Sequence, residues 1–221
     1  MKKRKRLLLN HERTSPILEE LRILRTNIQL IAKKRNMKTI LVTSTNAQEG
    51  KSTITANLAG MMGEQDLRIL IIDADLRLPS QHHILQQDNY NGLTDILREN
   101  IKLVDAIQPT SLRGVDVITA GTTPYNPSEL LSKHVWMELL HGLKQQYDYI
   151  LVDAPPAPIV DSQIIASKVD GTILVIEENK TKTAEFNRSL MLLTKMDAYM
   201  IGVILNKTKR KKTDGYYYKK K

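Results

Sequence analysis

Short apolar runs recur along the chain from about residue 38 onward, and their spacing limits the folds that it can adopt. Each run is continuously apolar in its centre, which is typical of strands buried on both faces of a sheet. Stretches long enough for crossover helices separate them. The pattern therefore predicts an α/β fold with a doubly wound, mostly parallel sheet covered by helices on both faces, with ligands at the carboxyl ends of the strands. The predicted strands read TILVTS, RILIIDAD, VDVITAG, YDYILVDAPP, GTILVIEE and MIGVILNK.

The chain has 221 residues and a net charge of +9, but this charge is concentrated at its two ends. Residues 2–6 carry +5 and residues 207–221 carry +7, which leaves −3 for the part between them. We therefore divide the chain into a basic N-terminal segment (1–14), one compact domain (15–206) and a basic tail (207–221) that we expect to be disordered. At the start of the domain, Ser15 is a candidate N-cap and Pro16 a first helical residue, so an amphipathic helix is expected before the first strand. The absence of cysteine argues against disulfides and thiolate metal sites.

The segment STNAQEGKST, residues 44–53, lies between the first predicted strand and a helix. A phosphate-binding loop lies at such a junction, because backbone N–H groups and the helix dipole then face the anion. In this type of loop Gly50 permits close approach of the backbone, Lys51 contacts the terminal phosphates and Ser52 ligates Mg²⁺. Thr45 stands where the usual first glycine would be. The predicted phosphate-binding residues are Gln48, Glu49, Gly50, Lys51, Ser52 and Thr53.

Three aspartates end two other predicted strands. Asp73 and Asp75 close the run RILIIDAD, and the two-residue side-chain period puts them and Arg77 on one side while the backbone stays extended. Asp153 ends YDYILVD, and two prolines stop the strand beyond it. Aspartates after a buried strand also commonly begin a solvated loop, so neither group is specific by itself. Because Mg²⁺ prefers oxygen ligands and keeps several waters, we predict that it is held directly or through water by Ser52, Asp73, Asp75 and Asp153.

Together these features resemble the P-loop bacterial tyrosine kinases that control capsule and exopolysaccharide synthesis. That family combines a phosphate loop, an aspartate motif similar to LIIDADLRLP and a Walker B strand similar to YILVDAPP. The stretches NGLTDIL (91–97) and GTTPYNPSELL (121–131) are also similar to it. The family has a C-terminal tyrosine cluster, which corresponds here to Tyr216, Tyr217 and Tyr218.

The first predicted helix carries charged residues at the spacing of that family's oligomerisation motif. We call them the charge stripe, and they are Glu19, Arg22 and Arg25. A solvated ion pair within the helix is the alternative interpretation of this spacing.

The resemblance implies a kinase that uses ATP and Mg²⁺ to phosphorylate the tyrosine cluster of a neighbouring subunit. Lys51 would stabilise the phosphates, and Asp73 would accept the tyrosine proton or orient its hydroxyl. Asp75 and Asp153 would complete the metal shell. The resemblance further implies a homo-oligomer, which we interpret as a ring, and a separate membrane protein as activator. A phosphotyrosine phosphatase would reset the cycle, and further protein substrates are possible.

The apolar run at residues 7–9 is too short for a signal peptide or a membrane span. We therefore expect a cytoplasmic protein that its partner recruits to the inner face of the cell membrane.

Two other functions stay open on the sequence. A partitioning-type ATPase shares the P-loop and the aspartates, but it has no use for clustered terminal tyrosines and usually carries a second loop lysine where this chain has Asn46. Lysines interleaved with tyrosines can also hold a single nucleic-acid strand. Since no recognition module accompanies the tail, we expect no specific nucleic-acid partner.

Overall fold

A computed structural model describes Leu7 and residues 16–208 of the chain. Within this part, helices and strands alternate along the chain. The strands are β1 (Thr39–Ser44), β2 (Ile69–Asp73), β3 (Ile107–Pro109), β4 (Val115–Ile118), β5 (Tyr149–Asp153), β6 (Gly171–Glu177) and β7 (Met200–Asn206). The helices are α1 (Pro16–Lys34), α2 (Lys51–Gly63), α3 (Gln81–Leu85), α4 (Leu93–Leu97), α5 (Leu103–Ala106), α6 (Pro127–Ser132), α7 (His134–Leu143), α8 (Val160–Ala166) and α9 (Thr183–Thr194).

The strands form one sheet in the order β3-β4-β2-β5-β1-β6-β7. Every neighbouring pair runs parallel except β3 with β4. The predicted doubly wound, mostly parallel sheet is therefore confirmed, and each of the six predicted apolar runs contains a strand. The short strand β3 was not predicted, because its three residues are partly exposed and form no buried run.

The sheet has an apolar core on each face. Successive residues of β1 alternate between the two cores, with Ile40 in one and Leu41 in the other, as the two-residue period of a strand requires. Residues of α1 and α2 belong to the core that contains Ile40. Residues of α7, α8 and α9 belong to the core that contains Leu41, and Trp136 is fully buried there.

The first described helix, α1, begins at Pro16 and the last described strand, β7, ends at Asn206, and the division of the chain into 1–14, 15–206 and 207–221 stays a prediction. The buried residues of α1 recur at helical spacing, and the helix packs on α2. None of the described helices is long and apolar enough to span a bilayer. Ser15, the N-terminal segment other than Leu7, and residues 209–221 lie outside the described residues, so the predicted cap and the predicted disorder of the tail stay predictions.

Candidate active site

The loop between β1 and α2 is shaped to accept an anion. Gly50, just before α2, has a φ of +99°, which favours glycine, and a Cβ there would lie 2.2 Å from the side-chain amide nitrogen of Asn206 and displace it. Gln48 also adopts a positive φ, at 65°. The first N–H groups of a helix have no carbonyl partner one turn earlier. Those of α2 can therefore donate to phosphate oxygens at the carboxyl edge of the sheet.

The carboxylate of Glu49 holds this loop from inside. It is buried, with 1% of the residue exposed. Oε2 accepts from the backbone N–H of Asn46 at 2.9 Å, and Oε1 accepts from the Asn46 amide at 3.2 Å and the Thr181 hydroxyl at 2.6 Å. From outside, the Asn206 amide donates to the Glu49 carbonyl at 2.7 Å, and the Lys207 ammonium donates to the Gln48 carbonyl at 2.8 Å. The Glu49 side chain therefore supports the loop, and it is the loop backbone that can face the phosphates.

Lys51 lies among the predicted carboxylates. Its Nζ is 2.8 Å from Asp75 Oδ2, 3.5 Å from Asp153 Oδ1 and 3.3 Å from Ser52 Oγ. Burial alone would lower the pKa of Lys51, but the charges of Asp153 and Asp75 outweigh it and raise that pKa. The ammonium group is thus charged at neutral pH, as the stabilisation of phosphate oxygens requires.

Asp73 and Asp153 are neighbours in the register of β2 and β5, and both are fully buried. Burial, and then the charge of Asp153, raise the pKa of Asp73 to about 7. Backbone N–H groups oppose this shift: those of Ser80 and Gln81 donate to Asp73 Oδ2 at 2.9 and 2.8 Å. A carboxyl group with such a pKa can gain or lose a proton near neutral pH.

The residues present suit a magnesium ion of the P-loop type. Two buried carboxylates, Asp73 and Asp153, disfavour each other's charge, and a bound cation would relieve this. In the described part of the chain no three acidic or histidine side chains converge on one metal-sized point. A P-loop ion needs no such cluster, because phosphate and water oxygens supply most of its ligands. The ligand set of Ser52, Asp73, Asp75 and Asp153 stays a prediction, with Asp75 already bonded to Lys51 and to the N–H of Leu78.

Arg77 corrects one detail of the sequence interpretation. β2 ends at Asp73 and residues 76–78 form a bend, so the extended backbone assumed through Arg77 is wrong. Its guanidinium turns instead to Asp161 on α8, with Nε 2.8 Å from Oδ2 and one terminal nitrogen 3.3 Å from Oδ1. The Ser128 hydroxyl on α6 also donates to Asp161. Arg77 thus joins the loop after β2 to α8.

The charge stripe on α1 is divided between two roles. Arg22 pairs with Glu19 at 3.0 Å on the exposed face of the helix. Arg25 instead donates to the carbonyl oxygen of Met61 at 3.1 Å and so ties α1 to α2. The intrahelical pair considered as the alternative therefore exists for the first two residues. A role of the stripe in oligomerisation stays a prediction.

Sequence reasoning missed three residues that hold the site together. The Gln81 amide donates to Asp153 Oδ2 at 2.8 Å and to the Ser52 carbonyl at 3.0 Å. Asn206 and Thr181 hold the phosphate loop through Glu49, as described above. Gln81 and Thr181 belong to no recognisable motif. For Asn206 a signal existed, because it lies near the end of a predicted strand, at the edge of the sheet where the site lies. The predicted acceptors Tyr216, Tyr217 and Tyr218 lie outside the described residues.

Comparisons with known proteins agree with this geometry. Residues 35–215 match a ParA family model described as NUBPL iron-transfer P-loop NTPase. The chain is 34% identical to the putative tyrosine-protein kinase CapB of Staphylococcus aureus, over 96% of this chain and 93% of CapB. It is 36% identical to the tyrosine-protein kinase YwqD of Bacillus subtilis, over 90% of this chain and 85% of YwqD.

A solved structure gives the same result. The crystal structure of the chimeric protein CapA2B2 superposes with a TM-score of 0.88 at 31% identity, over 92% of this chain and 90% of the chimera. The ParA model accounts for the P-loop scaffold that these proteins share. Since two relatives with tyrosine-kinase names match 90% or more of the chain, and since the predicted phosphate loop and aspartates meet at one edge of the sheet, the chain belongs to the bacterial P-loop tyrosine kinase family.

Proposed function

We propose that the chain transfers the γ-phosphoryl group of ATP to the tyrosine cluster, residues 216–218, of a neighbouring subunit, and thereby regulates capsule or exopolysaccharide synthesis. The observation that carries this proposal is the convergence of Lys51, Asp75 and Asp153 beside the phosphate loop. The names of the relatives CapB and YwqD, both tyrosine-protein kinases, support the reaction class.

The residues divide the work of phosphoryl transfer among them. The loop N–H groups and Lys51 bind the phosphates and stabilise the negative charge of the transferring group. The tyrosine oxygen forms a bond to the γ-phosphorus while the bond to the bridging oxygen of ADP breaks. Asp73 accepts the tyrosine proton or orients the tyrosine hydroxyl. Ser52, Asp73, Asp75 and Asp153 would hold a magnesium ion, which would supply further charge neutralisation.

Asn46 favours a kinase over a partitioning ATPase. At the position where those ATPases usually carry a second lysine, the Asn46 amide donates within the same chain to Glu49 at 3.2 Å and to Glu185 at 3.0 Å. A neutral amide bonded in this way cannot act as a cationic group toward a second nucleotide. The partitioning-type ATPase remains the second candidate, because the ParA family model covers the domain.

The assembly that we propose must bring the acceptor of one subunit to the site of another. It comprises a homo-oligomer, a separate membrane protein that activates the kinase at the inner face of the membrane, and a phosphatase that removes the phosphate. Further protein substrates would use the same site.

The proposal is tested by mixing two variants, one that lacks kinase activity and one that lacks the acceptor tyrosines. Lys51→Met retains the tyrosines but loses the phosphate-binding cation, so it should accept phosphate without transferring it. The donor carries Tyr216→Phe, Tyr217→Phe and Tyr218→Phe. After incubation with Mg-ATP and an activator, mass spectrometry should find phosphate on the tail of the Lys51→Met protein. Modification that occurs only when an intact site and the tyrosines share one chain would refute transfer between subunits.

A further inference from the structure

Exposed apolar side chains border the candidate active site at the bend after β2. Leu78 is 76% exposed, yet its backbone N–H donates to Asp75 Oδ1 at 3.1 Å, and the other oxygen of that carboxylate is bonded to Lys51. Val160, at the start of α8, is 55% exposed and adjoins Asp161. Asp161 is bonded to Arg77, and Arg77 adjoins Leu78 in the chain, so the Arg77–Asp161 pair links the chain positions of Leu78 and Val160 at the edge of the site.

The guanidinium between them is fixed in position. Two of its nitrogens are bonded to Asp161, whose carboxylate is fully buried and also accepts from Ser128. The Arg77 side chain nevertheless remains 48% exposed. A guanidinium that is held by one edge while part of it stays exposed can stack on an aromatic ring at little further cost in side-chain entropy. We call Arg77, Leu78 and Val160 the rim platform.

Building on the proposed function, we infer that the rim platform docks the basic tail, residues 207–221, of a second copy of the chain. Three consecutive tyrosines supply aromatic rings, which gain from apolar contact and from a cation near the ring face. Most of the other tail residues are basic, whereas the neighbouring site contributes the carboxylates of Asp73, Asp75 and Asp153.

The length of the tail also fits this role. Residues 209–216 connect the described domain to the first tyrosine, and a segment of that length can extend across about 27 Å. That reach lets the tyrosines extend beyond the edge of the domain that carries them. While one tyrosine lies at the phosphate loop, its neighbours in the cluster lie within one or two residues of it. They therefore reach the rim platform, which begins one hydrogen bond away from Asp75. The rim platform thus provides recognition of a tyrosine cluster as opposed to a single tyrosine.

A double-mutant cycle between full-length proteins tests this inference. The donor is the triple-phenylalanine variant of residues 216–218, with or without Leu78→Ser and Val160→Ser. The acceptor is Lys51→Met, with or without Tyr217→Ala and Tyr218→Ala, and phosphate on Tyr216 is measured against acceptor concentration. A matched donor control carries Leu30→Ser and Met191→Ser, which remove exposed apolar side chains near the amino ends of the strands.

The platform substitutions should raise the KM for the acceptor about tenfold, leave the KM for ATP unchanged, and have little further effect once the acceptor tyrosines are alanine. The control donor should behave as the unsubstituted donor does. Additive effects of the donor and acceptor substitutions, or an equal loss in the control, would refute docking while leaving transfer between subunits intact. No transfer from the unsubstituted donor would instead refute the proposed function, and the docking inference with it.

Discussion

Glu49→Gln tests whether the buried carboxylate under the phosphate loop determines nucleotide affinity. The substitution preserves the size of the side chain but replaces one acceptor oxygen with an NH₂ donor. In the structure both oxygens accept, from the N–H of Asn46 on one side and from the Asn46 amide and the Thr181 hydroxyl on the other. Whichever way the glutamine amide is turned, its NH₂ group points at an N–H donor of Asn46. At least one of these donors therefore loses its acceptor.

The size of the effect follows from burial. Because Glu49 is 1% exposed, water cannot satisfy a donor that loses its partner. A buried unpaired donor costs about 1–3 kcal/mol. If about 2 kcal/mol of this falls on the loop conformation that binds phosphates, nucleotide affinity should fall roughly 30-fold. Thr181→Val removes a hydroxyl that donates to Glu49 and accepts from the Glu177 N–H, and it should weaken binding by about fivefold.

The assay is a titration of the folded proteins with a fluorescent ADP analogue and Mg²⁺. Glu185→Gln provides a matched control, because Glu185 also accepts from the Asn46 amide but does so at the exposed surface. We expect no measurable change in that variant, since water replaces an exposed hydrogen bond. Unchanged affinity in Glu49→Gln, or equal losses in both glutamine variants, would show that the buried hydrogen bonds do not hold the loop in its binding conformation.

Four further variants test other parts of the structure. Asp73→Asn and Asp153→Asn should each reduce phosphoryl transfer by orders of magnitude in proteins that still fold; near-normal rates in both would place the metal and the proton acceptor elsewhere. Alanine at all three positions of the charge stripe should convert a self-associated species to monomer in sedimentation, and an unchanged mass distribution would leave only the ion pair and the α1–α2 contact. Burial would raise the pKa of Asp170, but hydrogen bonds from Lys144 and from the N–H groups of Thr39 and Lys38 outweigh it and lower that pKa. The ionised carboxylate therefore stabilises the fold above about pH 4 and loses this effect as the pH falls through its lowered pKa. Asp170→Asn should accordingly lower the free energy of unfolding in urea by about 2 kcal/mol at pH 7. The loss should become smaller toward pH 2.

The sequence predicted those parts of the molecule that depend on local pattern. Continuous apolar runs gave the six main strands, because a strand buried on both faces must be apolar at every central position. The phosphate loop and the strand-end aspartates could be placed together, since the carboxyl ends of parallel strands share one edge of the sheet. Asp73 and Asp153 are accordingly paired in register although they are far apart in the chain.

The parts that could not be predicted depend on contacts between distant polar residues. Asn206 holds the loop through a residue 157 positions earlier, and Gln81 reaches Asp153 from 72 positions away. Neither contact leaves a periodic signal, because a single hydrogen bond constrains one side chain and not a pattern. Arg77 was misplaced for a related reason: the extended backbone was assumed to continue, but the chain bends so that three backbone N–H groups can donate to Asp73.

On the proposed function, phosphorylation weakens the contact that permits it. Each phosphate adds about −1.5 to −2 charges at neutral pH, so modification of all three tyrosines would change the tail from +7 to roughly +1 to +2.5. The same groups would bring negative charge to a site where Asp75 and Asp153 already lie beside Lys51 and where Asp73 is paired in register with Asp153. Like charges repel strongly where burial limits screening. A fully phosphorylated tail should therefore leave its neighbour's site and stay dissociated until a phosphatase restores its positive charge.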